Sequence, residues 1–380
     1  MRRYPAALAA MTAAALLLAG CSSDPGKTSS EREPGDLTGL KIAFAIPTSA
    51  ADVYVNQRDM FVEQAEKLGA TVEVFDNNGD AATMLSNADL MVAAEPDVIV
   101  EFSPVADATE RVGQKFTDAG IPCIALNVPV PGCHLFNFDQ PYLSELGAEV
   151  IAKEMADRGW TPDNTTVVIG QASALGESVN IAVTSFYEFL SGQVPGMTSV
   201  KRDEIQPTTT KISGDEGLQL DLGVTLDGAY AEMTTALQSI PEDRNLVVYT
   251  VNDDSTFGVQ RAIANAGRSE TTIVSGYGGG ADALNQIRES DSTGWVSDQM
   301  GFFAYWGEFA LAMVAAVDLG LDIPELTAPP MVVLTKDNMD DYFKPGTDEL
   351  VMMPELPEGS KYLIETGILQ KYGNVTGATE

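Results

Sequence analysis

From Lys41 onward, short runs of apolar and β-branched residues alternate with amphipathic stretches of helical length, and this rhythm constrains the fold more than any other feature. The strand-length runs fall at 42–46, 72–76, 98–102, 123–127 and 135–138, and then at 166–171, 200–205, 246–251, 272–277, 294–299 and 331–334. Helical spacing of apolar residues, such as Phe61, Ala65 and Leu68, predicts helices over 55–68, 106–119, 142–158, 179–190, 230–239, 256–266 and 303–319. Strands that alternate with helices, and that are apolar on both faces, belong to parallel sheets covered by helices on both sides. Turn residues punctuate the rhythm at Asn77-Asn78-Gly79, at Gly120-Ile121-Pro122 and at Pro195-Gly196. No fixed-period repeat is present, which removes solenoids and propellers. The length of 380 residues is enough for two lobes with separate cores.

The first twenty residues have a different purpose. Arg2 and Arg3 precede an alanine- and leucine-rich run ending Leu18-Ala19-Gly20-Cys21, the pattern of a secretory leader over 1–20. The small residues before Cys21 fit lipoprotein processing, in which Cys21 becomes the lipidated N-terminus. The following residues are Ser, Asp, Gly, Pro, Lys and Glu with almost nothing to bury, so 21–38 is expected to be a disordered tether. The expected location is the outer face of the cell membrane or the periplasm.

Fifty-five acidic against twenty-two basic residues leave a net charge of −33. Such a surface repels nucleic acid and anionic membranes, which argues against both as partners through charge. Beyond Cys21 only Cys123 and Cys133 remain. Ten positions apart across a Pro-Val-Pro-Gly turn in an exported chain, they suggest a disulfide, with two buried thiols as the alternative. The lone histidine, His134, cannot build a histidine-based metal site or a Ser-His-Asp triad elsewhere, which removes much of hydrolase chemistry. No cofactor or metal is expected.

In an open α/β sheet, ligands bind just beyond the carboxyl ends of the strands. Those positions hold Asp52, Tyr54, Asn77, Asp80, Phe102, Ser103, Asn127, Asn252, Asp253, Tyr277 and Gln299. Small polar groups with a few aromatic rings suit a polyhydroxylated ligand, whose hydroxyls need hydrogen bonds and whose ring face needs a stacking partner. Turn and cap roles compete at every Asp and Asn, and Asp80 is expected to cap the helix after it.

From Leu40 to about Leu319 the chain resembles the ribose-binding-protein-like, type I periplasmic sugar-binding family. The resemblance rests on Leu40–Phe44, Phe75–Asp80, Glu95–Val100 with Ser103-Pro104, Ala119–Pro122, and Val248–Asp254 followed by Gly258, Ala262 and Ala266-Gly267. It implies an α/β fold of two Rossmann-like lobes with parallel sheets, joined by a three-strand hinge, and a monomer closing over a sugar or polyol that it passes to an ABC importer's permease. It implies no enzymatic activity. Crossings near Asp139, Gln299 and Leu326 would divide the chain into 39–139 with 300–325, and 140–299 with 326–380. By the same resemblance Asn180 takes the place of a family arginine, and Asn127 falls in the family's Leu-Asp-Arg, here Leu126-Asn127-Val128. The Gly-Phe-Asp acid is replaced by glycine in Gly276-Tyr277-Gly278, while Asn252 and Gln299 match. With fewer charged groups at these positions, pentose specificity does not follow from the resemblance, and another sugar, a polyol or a cyclic derivative suits the altered site better.

Other readings share some of these residues. A signal-binding protein of the same fold would present an autoinducer-like furanose to a sensor. The run Gly276–Ala281 with Asp298 downstream fits a dinucleotide fingerprint, although late in the chain. Asp76–Asp80 suggests calcium but lacks the loop spacing and terminal glutamate that calcium requires. Trp295 and Phe302, near the hinge, either build core or stack on a ligand, with core favoured.

Overall fold

Period-two alternation along each buried strand sends successive side chains to opposite faces, so one strand feeds two cores. In the computed structural model, which describes residues 32–102, 106–173 and 176–378, this produces two sheets. The first contains β1 (Lys41–Ile46), β2 (Thr71–Asp76), β3 (Val98–Phe102), β4 (Cys123–Leu126), β5 (His134–Phe136) and, late in the chain, β12 (Leu326–Thr327). Their order is β12-β5-β4-β3-β1-β2, and every pairing is parallel. Phe44, Val100 and Phe136 point to a core shared with Phe61 of α1 (Asp52–Lys67) and with Trp306 and Phe309 of α10 (Trp306–Leu319). Ala43, Ala45 and Ile99 point the other way, to Met84 of α2 (Ala81–Ala93) and Phe116 of α3 (Thr109–Ala119).

The second sheet contains β6 (Thr165–Gln171), β7 (Lys211–Ile212), β8 (Gly217–Asp221), β9 (Asn245–Tyr249), β10 (Thr272–Tyr277), β11 (Trp295–Met300) and β13 (Val332–Thr335). Its order is β13-β11-β10-β9-β6-β8-β7, parallel except for the outermost pairs β11–β13 and β7–β8. Val167, Ile169 and Tyr249 face α4 (Gln140–Asp157) and α5 (Glu177–Gln193), while Val168, Leu246 and Val248 face α6 (Leu226–Leu237) and α7 (Asp253–Asn265). Two short helices, α8 (Ala281–Arg288) and α9 (Ser290–Thr293), lead into β11. The chain passes between the sheets after β5, after β11 and after β12.

Local chemistry starts and stops these elements. Asp80 accepts from the Thr83 amide at 2.8 Å and begins α2, as expected. Asp139 and Thr225 do the same for α4 and α6, each satisfying an amide that has no partner within its helix. Gly120 ends α3 with φ 68°, a left-handed conformation that glycine adopts without a Cβ penalty. Cys123 and Cys133 are bonded to each other, tying β4 to the turn that leads into β5.

Four expectations are corrected. The tether does not extend to residue 38: Arg32 pairs with Asp318 at 2.5 Å, the Gly35 amide donates to the Thr366 carbonyl at 2.7 Å, and Leu37 is buried. The leader, Cys21 and the rest of the tether lie outside the described residues. No strand forms over 200–205, where Val200 and Ile205 are buried anchors on either side of a 3₁₀ turn at Arg202–Glu204. The strands of this region are β7, at the sheet's edge, and β8 beside it. The segment 326–380 is not confined to the second lobe, because β12 pairs with β5, and Met353, Leu363 and Leu369 join the core around α10. Asn374 holds both oxygens of Glu308, at 3.0 and 2.9 Å, on the same helix. This cover explains why α10 is buried from Trp306 to Ala316 with no solvent-facing stripe. Finally, the last helix expected near 361–371 is only α11 (Tyr362–Glu365) followed by a 3₁₀ turn at Leu369–Lys371.

Candidate functional site

Two of the three crossings leave from the carboxyl ends of β5 and β11, so the carboxyl edges of the two sheets lie beside each other. Rings meet across this junction: Phe138 packs edge-on against Tyr277 with centroids 5.6 Å apart, and the Tyr277 hydroxyl donates to Gln140 Oε1 at 3.2 Å.

The first edge is aromatic. Asp52 is the first residue of α1. Tyr54, in its first turn, lies edge-on to Phe102 at 5.3 Å, and Phe102 in turn approaches Phe303 at 6.1 Å and Trp306 at 6.4 Å. Phe102 is only 2% exposed, so it supports Tyr54 from behind and is not itself a ligand-facing ring. Asn127 turns the chain after β4 in a left-handed conformation, φ 70°. Its amide donates to the Phe136 carbonyl, and its own carbonyl accepts from Asn137 Nδ2 at 2.7 Å. Ser103 lies outside the described residues.

Asn77 is buried rather than ligand-facing, and its partner is a residue the sequence reading missed. Asn77 Nδ2 donates to Glu101 Oε1 at 2.8 Å, and Asn77 Oδ1 accepts from Asn87 at 2.9 Å. Glu101 lies within the otherwise apolar strand β3; burial pushes its carboxyl up to about 8, opposed by the Asn77 bond. A glutamate inside the run Val98-Ile99-Val100-Glu101-Phe102 was the available signal. The calcium reading fails on neighbouring groups. Asp76 accepts from the amides of Ser49 and Asn78, and Asp80 caps α2, so both carboxylates already serve the backbone.

The second edge is polar. Asn252 caps α7 by accepting from Ser255 N at 3.0 Å and donates to the Val224 carbonyl at 2.9 Å, a scaffold role in place of the expected contact. Gln299 is buried; its Oε1 accepts from the Tyr249 hydroxyl at 3.0 Å, and a Cβ on Gly147 would lie 2.0 Å from its Nε2. Glycine at 147 is therefore what lets α4 pass over Gln299. Asn180 stands in the first turn of α5 with Oδ1 buried and unpartnered among the described residues.

Asp253 is the central residue of this edge. The Gly280 amide donates to its Oδ2 at 2.9 Å, and a Cβ built on Gly278 would lie 2.6 Å from that oxygen. The carboxylate absent from position 278 thus has a neighbour's carboxylate beside its place, and any side chain at 278 would collide with it. Asp298 on β11 lies against Asp253 beneath the glycine run. Burial raises both carboxyls, and for Asp298 the Asp253 charge adds to it. Asp298 is fully buried, not poised for a ribose, and the dinucleotide reading loses its acidic residue. Trp295 and Phe302 are both fully buried and belong to the core.

Residues 42–318 match a family model described as a periplasmic binding protein domain. Among curated proteins, the chain is 26% identical over 310 residues to the xylitol-binding protein of Mycolicibacterium smegmatis, covering 80% of this chain and 79% of that one. It is 23% identical over 257 residues to the D-xylose-binding periplasmic protein of Escherichia coli, covering 67% and 71%. Among solved structures, an ABC transporter solute-binding protein from Mycobacterium smegmatis with bound glycerol superposes with a TM-score of 0.64 at 21% identity, covering 81% of this chain and 98% of that one. One from Agrobacterium vitis with bound allitol gives 0.64 at 17% identity, covering 80% and 98%. The α/β fold with two parallel-sheet lobes is common to them.

Proposed function

Because the chain belongs to the periplasmic binding protein domain family, we propose that it is an exported solute-binding protein that captures a sugar or polyol between its two lobes and delivers it to an ABC importer. The observation that carries this reading is the asymmetry of the adjoining edges, with a ring-bearing edge at Tyr54 opposite a polar edge at Asp253 and Asn180. A ring stacks on the C–H face of a polyhydroxylated ligand, while carboxylate and amide oxygens accept from its hydroxyls. Relatives named for xylitol and D-xylose point to the same ligand class. The contact residues in this reading are Tyr54, Asn127, Asn180, Asp253 and Tyr277; the Asp52 side chain lies outside the described residues. Phe102, Asn252 and Gln299 position their neighbours.

The mechanism is closure without bond chemistry. Ligand joins the two edges, and the closed arrangement is selected by the contacts it adds. Lipidation of Cys21 would hold the protein at the membrane beside its permease, and a monomer suffices for this role. A thermal-shift screen with pentoses, hexoses, polyols and furanoses tests the reading. Ligand at a hundred times its Kd adds about 2.7 kcal/mol to native stability, so a clear rise in Tm with one class, diminished in Asp253→Ala, is the expected result. Absence of a shift with every polyhydroxylated compound would refute it.

A further inference from the structure

Asp253 and Asp298 reach the same place from different elements, Asp253 as the first residue of α7 and Asp298 from within β11. Glycines at the end of β10 and in the turn after it make room for both. A Cβ on Gly276 would lie 2.7 Å from Asp298 Oδ2, and Cβ atoms on Gly278 and Gly280 would lie 2.6 and 2.8 Å from Asp253 Oδ2. A side chain at any of the three would displace a carboxyl, so the glycine run and the two acids form one device.

That device lacks a donor. Asp298 is fully buried and neither of its oxygens has a hydrogen-bond partner among the described residues; Asp253 Oδ1 is enclosed and unpartnered in the same way. The Gly280 amide serves Asp253 Oδ2, and the Gly278 amide is bonded to the Gln299 carbonyl at 2.9 Å. No cation stands by to neutralise the acids. The ionisable groups whose charge couples to them are Tyr249 on β9, Tyr277 on β10 and Asp254 on α7. Arg261 of α7 lies over the Tyr230 ring, and on α8 Asp282 is exposed while Arg288 bonds Asn285 and Thr347. Leu334 is opposite Asp298 on β13, and α4 meets β11 through the uncharged Gly147 and Gln299. Two ionised carboxylates in contact would repel in this dry volume, whereas one proton turns an acceptor into a donor and serves oxygens of both acids.

We propose that Asp298 is a positioning residue for ligand capture, carrying a proton that it donates in a hydrogen bond to Asp253 Oδ1. Asp253 then keeps its charge and is held between this bond and the Gly280 amide, with the second lone pair of Oδ2 as the acceptor for a ligand hydroxyl. This rests on the binding function proposed above and adds how its central acid is set. Asp298 itself, without exposed surface, touches no ligand. The sign with pH follows. As pH rises Asp298 loses its proton, the bond becomes a repulsion, and Asp253 leaves its place, so affinity falls.

Carbon NMR of the protein with its aspartates labelled at Cγ tests the assignment without any ligand. At pH 7 the parent should show a protonated aspartate carboxyl that vanishes in Asp298→Asn. The asparagine amide donates at every pH, so the Gly280 amide should exchange with solvent at the parent's rate in Asp298→Asn and about tenfold faster in Asp298→Ala, where the donor is lost. Calorimetric titration with xylitol and D-xylose then reads capture: the parent's affinity should fall by about tenfold per pH unit once that carboxyl titrates, and Asp298→Asn should lose this dependence. An ionised Asp298 at pH 7, or the same pH dependence of affinity in parent and Asp298→Asn, overturns the proposal. So does an equally protected Gly280 amide in Asp298→Ala; if that variant does not fold, the carbon spectrum of Asp298→Asn decides. If neither compound binds the parent, the binding reading is weakened, and the two NMR measurements still decide the pair.

Discussion

The two carboxyl edges are built from the same strand–loop–helix units yet have opposite chemistry. On the first, Tyr54, Phe102, Phe303 and Trp306 form a continuous aromatic wall. On the second, Asp253, Asp298 and Gly278–Gly280 form a polar shelf in which backbone amides and a buried acid support one carboxylate. Ring contacts depend on packing and are indifferent to pH, whereas the shelf depends on where protons reside. The contrast is incomplete, because the first lobe has its own buried acid, Glu101, bonded to Asn77.

The strongest way to break the comparison is to remove the wall. Trp306 is almost fully buried and contacts Phe102, Phe136, Phe138 and Phe303. Trp306→Ala should cost about 3–5 kcal/mol, read as a lower midpoint in urea denaturation. An unchanged midpoint would mean that the wall does not support the lobe.

Next in size is the disulfide, confined to the first lobe. Replacing Cys123 and Cys133 with serine should cost about 2–4 kcal/mol, mostly by freeing the unfolded chain. Ligand affinity per folded molecule should change little, since the bond lies away from the shelf. A large loss of affinity with retained stability would contradict that separation.

The buried acids sharpen the comparison through pH. Glu101 holds its proton to about 8 in the folded protein but ionises near 4.3 when unfolded. Across that window the native state binds more protons, so stability falls as pH rises and levels off beyond it. The shift corresponds to a few kcal/mol, on the order of 1.4 kcal/mol per unit. Glu308, pushed up to about 7 by burial, contributes with the same sign. Glu101→Gln keeps the Asn77 bond without the proton, so it should raise stability at pH 8 relative to pH 5, compared with the parent. Equal slopes in parent and variant, measured by denaturation at both values, would refute the assignment.

The smallest effect concerns what the edges share. Asp80 on the first and Asn252 on the second are both helix caps. Asp80→Ala should cost about 1 kcal/mol with no effect on ligand affinity. Asn252→Ala should cost a similar amount and weaken binding only as far as it moves Asp253, the next residue. A loss of binding far beyond that in Asn252→Ala would restore Asn252 as a direct contact.

Much of the framework was legible in the chain because burial on both faces leaves an unbroken apolar run. Such runs identified β1, β3, β6, β9 and β10. Strand β8, Gly217-Leu218-Gln219-Leu220-Asp221, carries no unbroken apolar run because Gln219 and Asp221 interrupt it, whereas the segment 200–205, with apolar residues only at its ends, forms a 3₁₀ turn. The candidate site was legible only in part. Strand-end positions pointed to Tyr54, Asp253 and Tyr277, but the same rule named Phe102 and Asn77, whose side chains turn inward. A strand end specifies a height in the sheet; which way the last side chain points depends on the pleat and on the helix packed against it.

By itself, the sequence determined the layered α/β architecture, the capping of α2 by Asp80 and the absence of a carboxylate at 278, since each depends on residue type and local spacing. Tertiary structure decided the rest. The chain's end covers α10, Gly147 admits Gln299 beneath α4, and Asp253 stands beside the empty place at 278 with Asp298 behind it. These contacts join residues far apart in the chain, and local spacing carries no information about which distant surfaces will exclude water together. The raised carboxyls of Asp253 and Asp298 likewise arise only because folding puts both in the same dry volume.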